Sequence, residues 1–131
     1  MNNEKQRLVM DVDGTLAQIK EPGQSYADLE PIPETVAKLR EYKAQGFYVI
    51  LHSSRNMRTY DNNLGLLQAN TLPTLIDWLK KHDVPYDEVH VGKPWCGFEG
   101  FYVDDKAIRP DEFVNLSYEE IMAIVGKGSA G

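Results

Sequence analysis

The chain carries one cysteine, Cys96, among 131 residues. A single thiol cannot close an intrachain disulfide or supply a cysteine-based zinc cluster, and the expected setting is a reducing cytoplasm. Long apolar runs are missing too: none approaches the roughly 20 residues of a membrane span, so no membrane partner is expected. The first seven residues are polar and contain no apolar core of a secretory signal. Basic residues are in deficit, 14 Lys and Arg against 20 Asp and Glu, for a formal net charge of -6. Binding an extended nucleic acid needs a basic surface, so that partner class is disfavoured. A small phosphorylated metabolite is not, because a metal and a few local cations can hold it. There is no internal repeat and no low-complexity tract. A chain of this size buries a core without disulfide or metal staples, and one domain over 1–131 is expected. Its polar or Gly/Ser-rich ends, about 1–6 and 126–131, should be frayed.

What the chain does have is four short segments of strand character, each ending in a polar cluster. Residues 7–12 read as a buried strand that delivers Asp11 and Asp13, with Gly14 turning the backbone and Thr15 following. Residues 47–51 form a second strand and end at His52, Ser53 and Ser54. Residues 88–91 precede Gly92, Lys93 and Pro94, and residues 101–103 precede Asp104 and Asp105. Between them, 17–30 is polar with a Pro22-Gly23 turn signal and reads as a loop or small flap. A helix is expected over about 34–45, with Pro33 in its first turn, Val36, Leu39 and Tyr42 on one face and Gly46 closing it. Residues 56–70 read as a polar loop. A helix over about 72–82 carries Leu75, Ile76, Trp78 and Leu79. A last helix covers 118–125, with Ser117 as N-cap and Glu119 and Glu120 in its first turn. Strands alternating with helices predict an α/β fold with a mainly parallel sheet. Such sheets bind ligands at their carboxyl edge, where the four polar clusters are expected to converge.

Two carboxylates one residue apart repel unless a cation or a shared proton relieves them. Alone, Asp11 and Asp13 could be turn residues. An EF-hand does not fit, because the sixth position of that loop requires Gly and here is Leu16. Together with the other clusters they form a set suited to phosphoryl transfer, which needs positioning and charge stabilisation above all. Asp11 suits the roles of nucleophile and Mg2+ ligand. Asp13 suits general acid for the leaving oxygen and then base for the attacking water. Ser53 can donate a hydrogen bond to a phosphoryl oxygen, with Ser54 as the neighbouring alternative, and Lys93 can neutralise developing charge. Asp104 and Asp105 offer further hard oxygen ligands for the metal. Thr15 and Arg55 are additional candidates for substrate contact, Arg58 less so. His52 and Trp78 read as packed residues, Trp95 and Cys96 as packing with a place near the site, and Lys106 and Arg109 as local ion-pair or loop residues.

The order Asp11-Val12-Asp13-Gly14-Thr15, then His52-Ser53-Ser54, then Gly92-Lys93-Pro94, then Asp104-Asp105 resembles the four motifs of the haloacid-dehalogenase-like superfamily of phosphatases. The resemblance spans about residues 8–105. It implies a Rossmann-like three-layer sandwich and an aspartyl-phosphate on Asp11, with Asp13 as acid/base and its backbone carbonyl as a metal ligand. It further implies phosphate binding by Ser53, charge neutralisation by Lys93 and metal binding by Asp104 and Asp105. In the second motif this chain reads Ser53-Ser54-Arg55 where relatives often carry Thr-Ala-Arg. More narrowly, 53–63 and 84–113 are similar to small phosphatases of capsule biosynthesis, which implies a sugar or polyol phosphate feeding polysaccharide synthesis. The family often inserts a cap domain. Here 15–31 can hold only a flap, and 53–93 is filled by a loop and one helix, so little or no cap is expected. An open site admits a bulky substrate or is closed by a neighbouring subunit in a homo-oligomer, and the 56–70 loop is expected to form part of a lid.

Other readings use the same residues. A nucleotidase or a phosphatase of nucleic-acid ends would suit an open site. A mutase must exclude water, which a chain without a cap does poorly. A signalling receiver domain also uses acids, a hydroxyl and a lysine, but there the lysine comes last, whereas Lys93 precedes Asp104 and Asp105. That order, with Asp13 beside Asp11, favours hydrolysis over a long-lived phosphoryl switch or a phosphate-binding module without turnover.

Overall fold

Three strands, β1 (Arg7–Asp11), β2 (Tyr48–Ser53) and β3 (Glu88–Val91), form one sheet in the order β1-β2-β3 with both pairings parallel. The structure is a computed structural model and describes residues 6–126; the expected frayed ends fall almost wholly outside that range. Parallel neighbours need a crossover between them. Helix α1 (Pro33–Ala44) provides the first; α2 (Leu64–Leu66), a π-helical turn (Leu67–Thr71) and α3 (Leu72–Lys81) provide the second. The fold is α/β, with a three-stranded parallel sheet compatible with a Rossmann-like sandwich. Among the described residues no helix is long and apolar enough to cross a membrane.

The chain divides into two compact units, Met1–Trp95 and Cys96–Gly131. In the first, the core comprises Met10, Val12, Val49 and Leu51 from the strands and their ends, Val36, Leu39 and Tyr42 from α1, and Leu75, Trp78 and Leu79 from α3. Leu16 and Leu29 of the 12–32 loop are equally buried. That loop is therefore pinned at both ends: Gln18 N–H donates to the Glu30 carbonyl and Ile32 N–H to that of Leu16. The Trp78 indole N–H donates 2.7 Å to the Leu29 carbonyl, the partner a buried indole requires. Arg40 of α1 donates to the carbonyls of His82 and Asp83, satisfying the end of α3 where helical partners run out.

Helical structure before α3 starts earlier than the sequence pattern suggests. Residues 64–70, read as loop, are helical from Leu64 because Asn63 caps them, its side chain accepting from Leu66 N–H. Pro73 lacks an N–H and would crowd the preceding turn. The chain widens there, with Leu72 N–H reaching back five residues to the Leu67 carbonyl, which is how π-turns absorb such a misfit.

In the second unit α4 (Pro110–Asn115) and α5 (Tyr118–Val125) are regular. The α5 start is a reciprocal capping box: Glu120 N–H donates 3.1 Å to Ser117 Oγ, and Ser117 N–H 2.8 Å to Glu120 Oε1. The expected strand at 101–103 is absent. Residues 101–104 carry no regular structure, and this unit holds no described strand with which they could form a ladder. A three-residue apolar run has no strand identity without a partner to take its backbone hydrogen bonds.

Candidate active site

The strand register brings Asp11 opposite His52, and Ser53 opposite Val91, at a single edge of the sheet. The ladder continues one step further: Lys93 N–H donates 3.1 Å to the Ser53 carbonyl. Three consecutive strand ends thus deliver Asp11, Ser53 and Lys93 to one place, as their positions at the ends of apolar runs predict.

Beyond β1 the backbone wraps round one carbonyl. The N–H groups of Thr15, Leu16 and Ala17 all donate to Val12 O, at 3.2, 2.8 and 2.9 Å. Gly14 makes the turn possible with φ +86°, a conformation side chains disfavour. This curl returns Thr15 to the strand end, where its hydroxyl donates 3.2 Å to Asp11 Oδ2. The other oxygen, Oδ1, receives Lys93 Nζ at 3.2 Å. Asp11 is therefore oriented from both sides, and each of its oxygens retains a lone pair.

Asp13 is held by Arg55, whose Nε and Nη2 donate to its two carboxylate oxygens at 3.2 and 2.7 Å. Arg55 itself is buried and lies 4.3 Å from the centroid of the Tyr26 ring. Burial first, and the Asp13 charge second, push the Tyr26 hydroxyl above its ordinary range, with Arg55 opposing. Ser53 is fully buried, and its Oγ accepts from Arg55 N–H at 3.0 Å; the hydroxyl proton is left to donate elsewhere. Ser54 is half-buried, and its carbonyl accepts from Met57 N–H. Burial, then the Lys93 and His90 charges, lower the pKa of His52, while Asp11 pulls it back.

Asp104 and Asp105 belong to the second unit, where both are exposed. Asp104 Oδ1 accepts from Lys106 N–H at 2.8 Å, a turn contact. They follow an irregular segment and not the strand end expected for them. Trp95 is the last residue of the first unit and Cys96 the first of the second; both are partly exposed.

Two features of the site have no counterpart in the sequence reading. Tyr26 sits in a 3-10 turn (Tyr26–Asp28) of the polar flap, with no periodicity to mark it. Leu64, half-exposed at the start of α2, lies so close to Gly92 that a Cβ there would meet Leu64 Cδ2 at 2.5 Å. Gly92 has φ +88°. Gly92→Ala is expected to lose about 1–3 kcal/mol of stability from the strained backbone, read as a lower urea midpoint. Adding Leu64→Ala should restore little of it, because a flexible leucine tip can move aside and the strain remains.

Asp11 and Asp13 face Lys93 and Arg55, two negative charges against two positive. A phosphoryl dianion entering this balanced set brings charge that a divalent cation would offset. Among the described residues no three His, Cys, Asp or Glu side chains form a ready metal cluster. Mg2+ needs none, since it is commonly held by one or two carboxylates with water and substrate phosphate. The Asp11 carboxylate and the Asp13 backbone carbonyl are hard oxygen donors that fit it.

No family model and no curated protein matches the chain. Among solved structures, a structural-genomics target protein from Vibrio cholerae is 46% identical, with 93% of this chain and 98% of that one covered and a TM-score of 0.87. A chain of the Pnkp1/Rnl/Hen1 complex matches at 20% identity over 86% of this chain and 35% of its own, with a TM-score of 0.48. The second likeness is too weak to carry an argument.

Proposed function

The chain belongs to the family of that Vibrio cholerae protein, and for this chain we propose a haloacid-dehalogenase-like, Mg2+-dependent phosphomonoesterase acting on a small phosphorylated metabolite. The observation that carries the reading is the pair of acids after β1. Asp11 is oriented by Lys93 and Thr15, while Asp13, two residues on, is fixed separately by Arg55. Adjacent carboxylates in distinct, fixed surroundings suit two different roles. In the first step an Asp11 oxygen bonds to phosphorus as the ester P–O bond breaks, and Asp13, having taken up a proton from solvent as the substrate dianion binds, gives that proton to the departing alkoxide. In the second step Asp13 takes a proton from water, whose oxygen attacks phosphorus. Inorganic phosphate leaves and the Asp11 carboxylate is restored. Lys93 balances charge on Asp11 and the phosphoryl group through both steps. Ser53 or Ser54 donates to a phosphoryl oxygen at the end of β2. The Asp11 carboxylate and the Asp13 carbonyl would hold Mg2+, which when bound would supply charge neutralisation at the phosphoryl oxygens.

The substrate class, a sugar or polyol phosphate feeding polysaccharide synthesis, is proposed from the sequence resemblance. The test is phosphate release from a panel of phosphorylated sugars, polyols, nucleotides and nucleic-acid ends, with Mg2+ and with EDTA. We expect release from sugar or polyol esters that EDTA abolishes and added Mg2+ restores. Preferential release from nucleotides or nucleic-acid ends would replace the substrate class. No release from any member would overturn the phosphatase reading.

A further inference from the structure

We infer that Arg55 is a positioning residue for Asp13, itself steadied by Tyr26: Arg55 grips the carboxylate from its inner side and leaves the outer edge to the leaving-group oxygen. The inference rests on the phosphomonoesterase reading. Arg55 meets both carboxylate oxygens, Nη2 to Oδ1 at 2.7 Å and Nε to Oδ2 at 3.2 Å. A two-point fork fixes the carboxylate plane as well as its position, which a lysine ammonium does not. Burial is one-sided. The Arg55 side chain is 1% exposed and that of Asp13 is 25% exposed, so the open side of the pair belongs to the acid.

The arginine is fixed in its turn. Its N–H donates to Ser53 Oγ, tying it to the end of β2, and the guanidinium lies against the Tyr26 ring in a cation–π contact. Arg55 Nη1 is buried without a hydrogen-bond partner among the described residues. An unpaired buried donor is costly, so the side chain is not oriented to satisfy all its own donors. It is oriented to meet Asp13 with two of them.

The role has a chemical signature. In the first step the departing oxygen of an alkyl ester must take a proton as its bond to phosphorus breaks. A p-nitrophenolate leaves without one. An Asp13 that has lost its orientation therefore slows alkyl esters far more than aryl esters. An ion pair that only supports the fold slows both equally.

The experiment compares kcat/KM of wild type and Arg55→Lys for glycerol phosphate and p-nitrophenyl phosphate, alongside thermal melting. General acid catalysis is worth about 100-fold or more, so we expect Arg55→Lys to lose about that much with glycerol phosphate and under about 5-fold with p-nitrophenyl phosphate. Tyr26→Ala should show the same asymmetry at about 3–10-fold, the scale of one cation–π contact. It carries the comparison by itself if Arg55→Lys fails to fold. Equal losses on the two esters in an active enzyme would overturn the positioning role and leave the phosphatase reading standing. A wild-type protein inert towards both esters would overturn that reading and the inference with it.

Discussion

Asp11→Asn is expected to abolish phosphate release while leaving the protein folded. The substitution is nearly isosteric, and the Thr15 hydroxyl can still donate to the remaining side-chain oxygen as it does to Asp11 Oδ2. What disappears is the negative charge that makes the oxygen a nucleophile and the partner of Lys93 Nζ. Loss of a covalent nucleophile lowers turnover by about 10^4-fold or more in enzymes where the group acts within a unit. The folding cost should be small by comparison. The Asp11 and Lys93 side chains are 33% and 21% exposed, and a solvent-accessible pair contributes at most about 1 kcal/mol. A loss of activity with an unshifted urea midpoint therefore reports chemistry and not unfolding. Incubation of the wild type with substrate, followed by acid quenching and mass spectrometry, should find one phosphoryl group on the peptide that contains Asp11. Turnover within tenfold of wild type for Asp11→Asn would move the nucleophile elsewhere.

The parts of the molecule legible in the sequence are those decided by local pattern. Strands β1 and β2 are built on apolar runs that stop at polar residues, and β3 falls on the expected residues Glu88–Val91, where valines alternate with polar side chains. The start of α5 follows from Ser117 as N-cap, with Glu119 and Glu120 in the first turn. Asp11, Ser53 and Lys93 could be placed together because parallel strands bring their carboxyl ends to one edge. The grip of Arg55 on Asp13 could not be read, because it joins residues 42 apart and no periodicity records which loop arginine turns inward. Tyr26 is hidden for the same reason: its stacking depends on where the flap is pinned, through Leu29, and not on its neighbours in sequence. Residues 101–103 fail from the opposite side. Their apolar character satisfies the local rule for a strand, but a ladder is a property of two segments. Helix α4 is six residues long, too short for a helical period to show, and only Pro110 at its start hints at it.

Trp78 is where fold and site meet, and Trp78→Ala is expected to be the most damaging core substitution considered. The side chain is 1% exposed, and removing so large a buried aromatic costs about 3–5 kcal/mol. The Leu29 carbonyl, itself in a buried residue, also loses its donor, which adds about 1–3 kcal/mol where water cannot reach it. Against a total stability of about 5–15 kcal/mol for a domain, that loss should leave the protein largely unfolded near body temperature. Trp78→Phe separates the two contributions: it keeps most of the packing and removes the N–H, and should lose about 1–3 kcal/mol. Urea titration of the three proteins checks the order. The same hydrogen bond holds Leu29 three residues after Tyr26, whose ring lies against Arg55. Trp78→Phe is therefore expected to loosen the flap that carries Tyr26 before it unfolds the core, and amide exchange should quicken at 26–30 ahead of β1–β3. Uniform exchange across the flap and the sheet would mean that the flap is held by Leu16, Gln18 and Ile32 alone, and that the indole contributes only volume.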